Sequence, residues 1–176
     1  TLRTLRLSLH PTKASGDIVM VKIDDEAIRD VGAWPWPRSR YAELTDALTH
    51  AGARRIFFNV PLAGPTNSED DHKFAKALER SAPAVLGVQT VFGPSSMLQA
   101  GARPLKLFTR HARLGSTSVK YNFQNAAWRV PYAMRINGKV VPSFASILGR
   151  ASGPAGETFP VDYSINPHSI PAISAN

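Results

Sequence analysis

Two apolar runs bracket a helical repeat in the first third of the chain. Ile18-Val19-Met20-Val21-Lys22-Ile23 and Arg55-Ile56-Phe57-Phe58-Asn59-Val60 are β-branched and aromatic with almost no polar alternation. That is the pattern of strands covered on both faces. Between them Tyr41, Leu44, Leu48 and Ala51 fall at i, i+3, i+7 and i+10, while Arg40, Glu43 and Asp46 lie off that line. Such spacing predicts one apolar stripe on a 3.6-residue helix. Ser39 is a candidate N-cap, and Gly52 stands where a left-handed C-cap is needed. Strand, connector, helix and strand in this order predict a right-handed crossover joining two parallel strands.

The pattern continues downstream. Ser68 is expected to cap a second helix, with Glu69, Asp70 and Asp71 in its first turn, where the macrodipole favours anions. Phe74, Ala77, Leu78 and Ser81 would form its inner face, and Pro83 would end it. Residues 84–89 read as a third parallel strand. Residues 90–111 carry no clear period. A strand is expected from about Leu114 to Val119 and another from Trp128 to Arg135. Asn137-Gly138 is a type I′ hairpin signal leading into Lys139-Val140-Val141. Ser143 is expected to cap a helix running to Arg150, and residues 160–165 to form an edge strand. The resulting fold class is α/β, three-layer, with a mostly parallel sheet, crossover helices and an added antiparallel hairpin.

Candidate chemistry gathers near the first strand. Asp24 and Asp25 follow it at its carboxyl end, where ligands bind in open α/β sheets. They would suit a metal or a cationic ligand. The plainer alternative is that Asp25 caps the short helix Glu26 to Val31 while Asp24 pairs with Arg38. Trp34 and Trp36, in Trp34-Pro35-Trp36-Pro37-Arg38, would either wall a ligand or plug the end of the sheet. Arg38 is expected to bridge to Asp24 or Asp25. Asn59 and the loop to Asn67 border the same sheet end. Asp24, Asp25, Trp34, Trp36, Arg38 and Asn59 are therefore the candidate ligand-binding residues. His10, His50, His72, His111 and His168 are scattered, without HExxH or HxH spacing. GxSxG, GxGxxG and the P-loop are absent as well. No catalytic residue, metal ligand or cofactor is assigned.

Charge and cysteine usage narrow the partners. The formal net charge is +8 over 176 residues, but Arg3, Arg6, Lys13, Arg38, Arg54, Arg55, Arg103, Lys106, Arg110 and Arg113 are spread out. Without a basic run or aromatic interleaving, no nucleic-acid partner is expected. A basic face toward anionic lipid head groups fits better. With no cysteine, a disulfide, a thiolate zinc site and a cysteine nucleophile are excluded. No apolar run of about 18 residues is present, and the chain has no initiator Met, as expected of an excised segment of a longer product. Leu2, Leu5 and Leu9 make a helical stripe near the start.

The motifs "DIVMVKIDDEAI", "WPWPRSRYAELTDAL" and "AGARRIFFNV" resemble the opening of the CHASE type 2 domain (cyclases/histidine kinases associated sensory extracellular). "LGSTSV", "WRVPYAMRINGKVVPSFASIL" and "VDYSINPHSIPAIS" are similar to its later segments. The family's second strand ends in Asp where this chain has Asn59. The resemblance implies a periplasmic sensory domain on the outer face of a bacterial inner membrane, regulating a cytoplasmic output domain. Diguanylate cyclase or phosphodiesterase modules, adenylate cyclases and kinases are the outputs it implies. It also implies an unknown small-molecule ligand or stimulus, a membrane tether and a homodimer. Residues 1–16 would be a helix and connector following a membrane span. Residues 17–176 would be the sensory domain, shortened at its C-terminal end and leaving a sheet edge exposed. The competing reading is a small doubly wound hydrolase or metal-dependent enzyme using Asp24 and Asp25.

Overall fold

The computed structural model describes residues 11–92, 98–100, 103–119, 121 and 127–176. The chain divides into two compact units, Thr1–Trp36 with Val161–Asn176, and Pro37–Pro160. The expected helix over Leu2, Leu5 and Leu9 lies outside the described residues.

In the first unit, β1 (Met20–Lys22) leads into the helix α1 (Asp25–Val31). Gly32 ends α1 at φ 74°, and its N–H bonds the Ile28 carbonyl. That is the left-handed cap a Cβ would disfavour. Strand β1 takes its ladder partner from the tail. It pairs in parallel with the short strand Ala172–Ser174, Met20 opposite Ala172 and Lys22 opposite Ser174. The tail is tied in again where Thr12 N–H donates to the Ser164 carbonyl and Asn166 N–H to the Thr12 carbonyl. The expected crossover from β1 to the second apolar run is thus replaced by a ladder within this unit. Nor is β1 covered on both faces: Ile18, Val19 and Met20 are each half-exposed. Residues 161–165 form no strand, and the strand of the tail begins at Ala172.

The second unit is built on a parallel sheet. Helix α2 (Arg38–His50), strand β2 (Ile56–Phe58), helix α3 (Ser68–Arg80) and strand β3 (Ala84–Val88) follow in order. The antiparallel pair β4 (Thr90–Phe92) and β5 (Leu98–Ala100) comes next, then the short helix α4 (Lys106–Thr109) and strand β6 (Arg113–Ser116). The sheet order is β2-β3-β6, all parallel. Strand β7 (Arg129–Pro131) pairs antiparallel with β10 (Thr158–Pro160). Strands β8 (Ala133–Ile136) and β9 (Lys139–Pro142) form the expected hairpin, with Asn137 and Gly138 at φ 48° and 76°. Helix α5 (Phe144–Gly149) follows, its Ser146 N–H capped by the Ser143 hydroxyl. The single strand expected over Trp128–Arg135 is two, broken at Tyr132.

Adjacent residues of β2 point to opposite faces. Phe58 meets Phe74 of α3 edge-on at 5.5 Å between centroids, and Phe57 meets Phe144 of α5 at 5.2 Å. Helices therefore cover the sheet on both sides, as the unbroken apolar run requires. Phe74 also packs on Phe108 and Tyr41. The hairpin adds Met134, Ile136 and Val141 against Val88. Room for Phe144 comes from two glycines paired across the ladder, Gly87 and Gly115. A Cβ on Gly115 would sit 2.6 Å from the Phe144 ring, and one on Gly87 would sit 2.9 Å from the Phe58 carbonyl oxygen.

Neither long helix is capped by the residue expected. Helix α2 begins at Arg38 after Pro37, so Ser39 does not cap it. Its buried face is Arg38, Tyr41, Ala42 and Thr45, rotated from the stripe through Leu44, Leu48 and Ala51. Thr45 is tolerated there because its hydroxyl bonds the Tyr41 carbonyl at 2.5 Å. Helix α3 is capped by Asn67, which accepts from the Glu69 and Asp70 amides. Asp71 joins Phe74, Ala75 and Leu78 on its buried face.

Candidate functional site

The six candidate residues divide between the units. Asp24, Asp25, Trp34 and Trp36 belong to the first, Arg38 and Asn59 to the second.

Asp24 is the N-cap of α1. Its Oδ1 accepts from the Ala27 amide at 3.1 Å and the Ser174 hydroxyl at 2.8 Å. These two bonds, the backbone one first, hold its carboxyl below the usual carboxylate range. The cap is therefore Asp24, and Asp25 is an exposed residue of the first turn. Trp34 is half-exposed, whereas Trp36 is 3% exposed. Trp36 is thus buried, and of the two only Trp34 offers its ring to solvent.

Arg38 is buried and serves the loop after β2. Its Nη1 donates to the Pro61 carbonyl at 3.1 Å and its Nη2 to the Ala63 carbonyl at 3.3 Å. Its carboxylate partner is Asp71, with Nε 3.8 Å from Oδ1, in place of the expected Asp24 or Asp25. Asp71 also accepts from the Thr66 amide and hydroxyl at 3.0 and 2.9 Å. The guanidinium lies 5.8 Å from both the Tyr41 and Phe108 ring centroids. Burial lowers the Arg38 pKa against the opposing pull of Tyr41 and Asp71, and burial raises that of Tyr41. This buried pair joins α2, α3 and the loop 59–67, which is the work of a clamp. Asn59, just past β2, is exposed.

Asp71 was not legible as a partner, because an acid in a first turn already has a reason to be there. The usable signal is its spacing: 71, 74, 75 and 78 repeat as a buried stripe.

Two concave sites lie within the second unit, and none of the six residues lines either. One, of about 180 Å³, is bordered by Arg129, Met134, Arg135 and Thr158. There Arg129 is spent on Thr158, hydroxyl and carbonyl both. The other, of about 330 Å³, lies at the amino ends of the parallel strands and is bordered by Arg55, Arg113 and Arg150. Sequence reasoning missed it by looking to the carboxyl ends. The available signal was an arginine at the start of two strands, Arg55 before β2 and Arg113 opening β6. Among the described residues no three His, Asp or Glu side chains group as metal ligands, and no helix is long and apolar enough to cross a membrane.

A family model described as the CHASE2 domain matches residues 2–171. No curated protein and no solved structure matches the chain.

Proposed function

We propose that this chain, which belongs to the CHASE2 domain family, is the periplasmic sensory part of a bacterial transmembrane receptor. CHASE2 domains are extracellular sensory domains, not catalytic ones. In this reading the domain receives a small-molecule ligand or other stimulus outside the cytoplasm. It then alters the spacing of attached membrane helices in a homodimer. A cytoplasmic output follows, such as a diguanylate cyclase or phosphodiesterase, an adenylate cyclase or a kinase.

The observation that carries the reading is the family match over nearly the whole chain. The energetic demand is modest, since coupling between two sites is typically about 1–3 kcal/mol. The alternative enzyme built on Asp24 and Asp25 gains nothing from the geometry: Asp24 caps a helix and binds Ser174, and Asp25 is a surface residue.

The test is the full-length receptor in membranes, with residues 11–176 deleted or replaced by an unrelated periplasmic domain. Output that no longer responds to growth conditions, while the cytoplasmic part keeps its basal activity, is the expected result. A response that survives the replacement would overturn the sensory role.

A further inference from the structure

We infer that the cavity bordered by Arg55, Arg113 and Arg150 is a binding site for a phosphate group carried on a compact apolar body. The inference rests on the second unit alone and stands whether or not the domain is a sensor.

Three arginines from three elements border this cavity, with no carboxylate among its lining residues. Arg55 has a structural duty. Its Nη1 donates to the Ile147 carbonyl at 2.6 Å and its Nη2 to the Leu148 carbonyl at 3.1 Å, while its guanidinium lies 5.8 Å from the Phe57 centroid. It thereby answers the free carbonyls at the end of α5. The Ser146 carbonyl is taken by the backbone amides of Arg150 and Ala151. The negative end of the helix is thus already matched. Arg113 and Arg150 are surplus. Both are exposed, and neither has an ion pair or side-chain hydrogen bond among the described residues. Like charges held around one cavity repel, so an anion that neutralises them would be favoured.

The shape of the cluster selects the anion. A planar carboxylate presents two oxygens in one plane, whereas a phosphate offers oxygens in three directions, which suits two uncommitted forks held on different elements. The remaining wall, Val85, Pro142 and Ile147 among others, is apolar apart from Ser146. At about 330 Å³ the cavity falls in the lower range of small-ligand sites and exceeds what a bare phosphate fills. The phosphate could be supplied by a soluble phosphate ester or by a lipid head group.

The experiment is a calorimetric titration of the 176-residue chain with phenyl phosphate, with inorganic phosphate and with vesicles of phosphatidylglycerol in phosphatidylcholine. Each is repeated on the double variant Arg113→Gln, Arg150→Gln. Phenyl phosphate should bind more tightly than inorganic phosphate. The variant should lose about tenfold in affinity for each guanidinium removed. Vesicle binding that the variant loses and phenyl phosphate displaces assigns the phosphate to a lipid; phenyl phosphate binding without vesicle binding assigns it to a soluble ester. Amide shifts on the unaltered chain, mapped by NMR to Val85, Ile147 and Ala151, give a readout that needs no variant. Absence of binding by any probe, equal binding by the variant, or shifts confined to another surface would each overturn the site.

Discussion

Arg38 and Asp71 form a buried ion pair across the starts of two helices, each side chain only 5% exposed. The pair does not rest on its own attraction alone. Arg38 also holds the Pro61 and Ala63 carbonyls, and Asp71 holds Thr66 twice. A buried pair of this kind is weak evidence for net stability, but breaking it strands a charge. Arg38→Ala should therefore cost about 3–5 kcal/mol in urea unfolding. Arg38→Lys should recover little, because an ammonium cannot span two carbonyls as the fork does. Arg38→Met combined with Asp71→Leu should be milder than Arg38→Ala. A single substitution within about 0.5 kcal/mol of the parent would remove the clamp from the account.

The glycines that seat Phe144 make a sharper comparison. Gly115→Ala would press a methyl into the Phe144 ring and Val85, and overpacking of this kind costs about 1–3 kcal/mol. Adding Phe144→Leu should relieve part of that cost. Gly87→Ala meets a backbone oxygen of Phe58, which cannot move aside, so Phe144→Leu should not rescue it. A double-mutant cycle on melting temperatures separates the cases. Equal rescue at both positions would mean that the ring, not the strand backbone, limits the space.

The run at β2 announced a strand covered on both faces, and Phe57, Phe58 and the helices supply that cover, whereas the like run at β1 stays half-exposed. Asn137-Gly138 and Ser143 announced the hairpin and the capped helix after it, because turns and caps are local. Three other features were not local. The ladder between β1 and Ala172–Ser174 joins residues about 150 apart, and nothing in either segment names its partner. The face of α2 was misjudged because leucines outvoted Arg38 and Thr45, whose polar groups are satisfied only in the folded chain. Asp24 was expected among ligand residues because a carboxylate after a strand looks the same whether it binds a ligand or a helix amide.

Asp24 gives a pH-dependent prediction. Its folded pKa lies below its unfolded one, so its contribution is complete above the ordinary carboxylate range and is lost as pH falls through the folded value. Ser174→Ala removes the second-largest cause of that shift and leaves the Ala27 cap in place. The Asp24 carboxyl should then titrate closer to the ordinary value, and the stability that Asp24 loses in acid should be smaller, with the loss complete at a higher pH. Carboxyl-carbon NMR titration reads the first directly. An unchanged Asp24 titration would sever the link between the tail and α1.

The last prediction separates the two tryptophans. Trp36 is buried, and truncating a buried aromatic to alanine costs about 3–5 kcal/mol. Trp34 is 49% exposed, and surface changes usually stay within about 0.5 kcal/mol. Changing both at once would confuse unfolding with loss of function. Trp34→Ala alone, in the full-length receptor proposed above, should keep the domain folded while removing a large exposed ring. If that ring takes part in receiving the stimulus or in pairing with a second copy, output should lose its response while the melting temperature of the isolated domain holds. Should response and stability both stay at parental levels, the exposed tryptophan has no part in signalling, and the arginine-lined cavity becomes the first place to look for the stimulus.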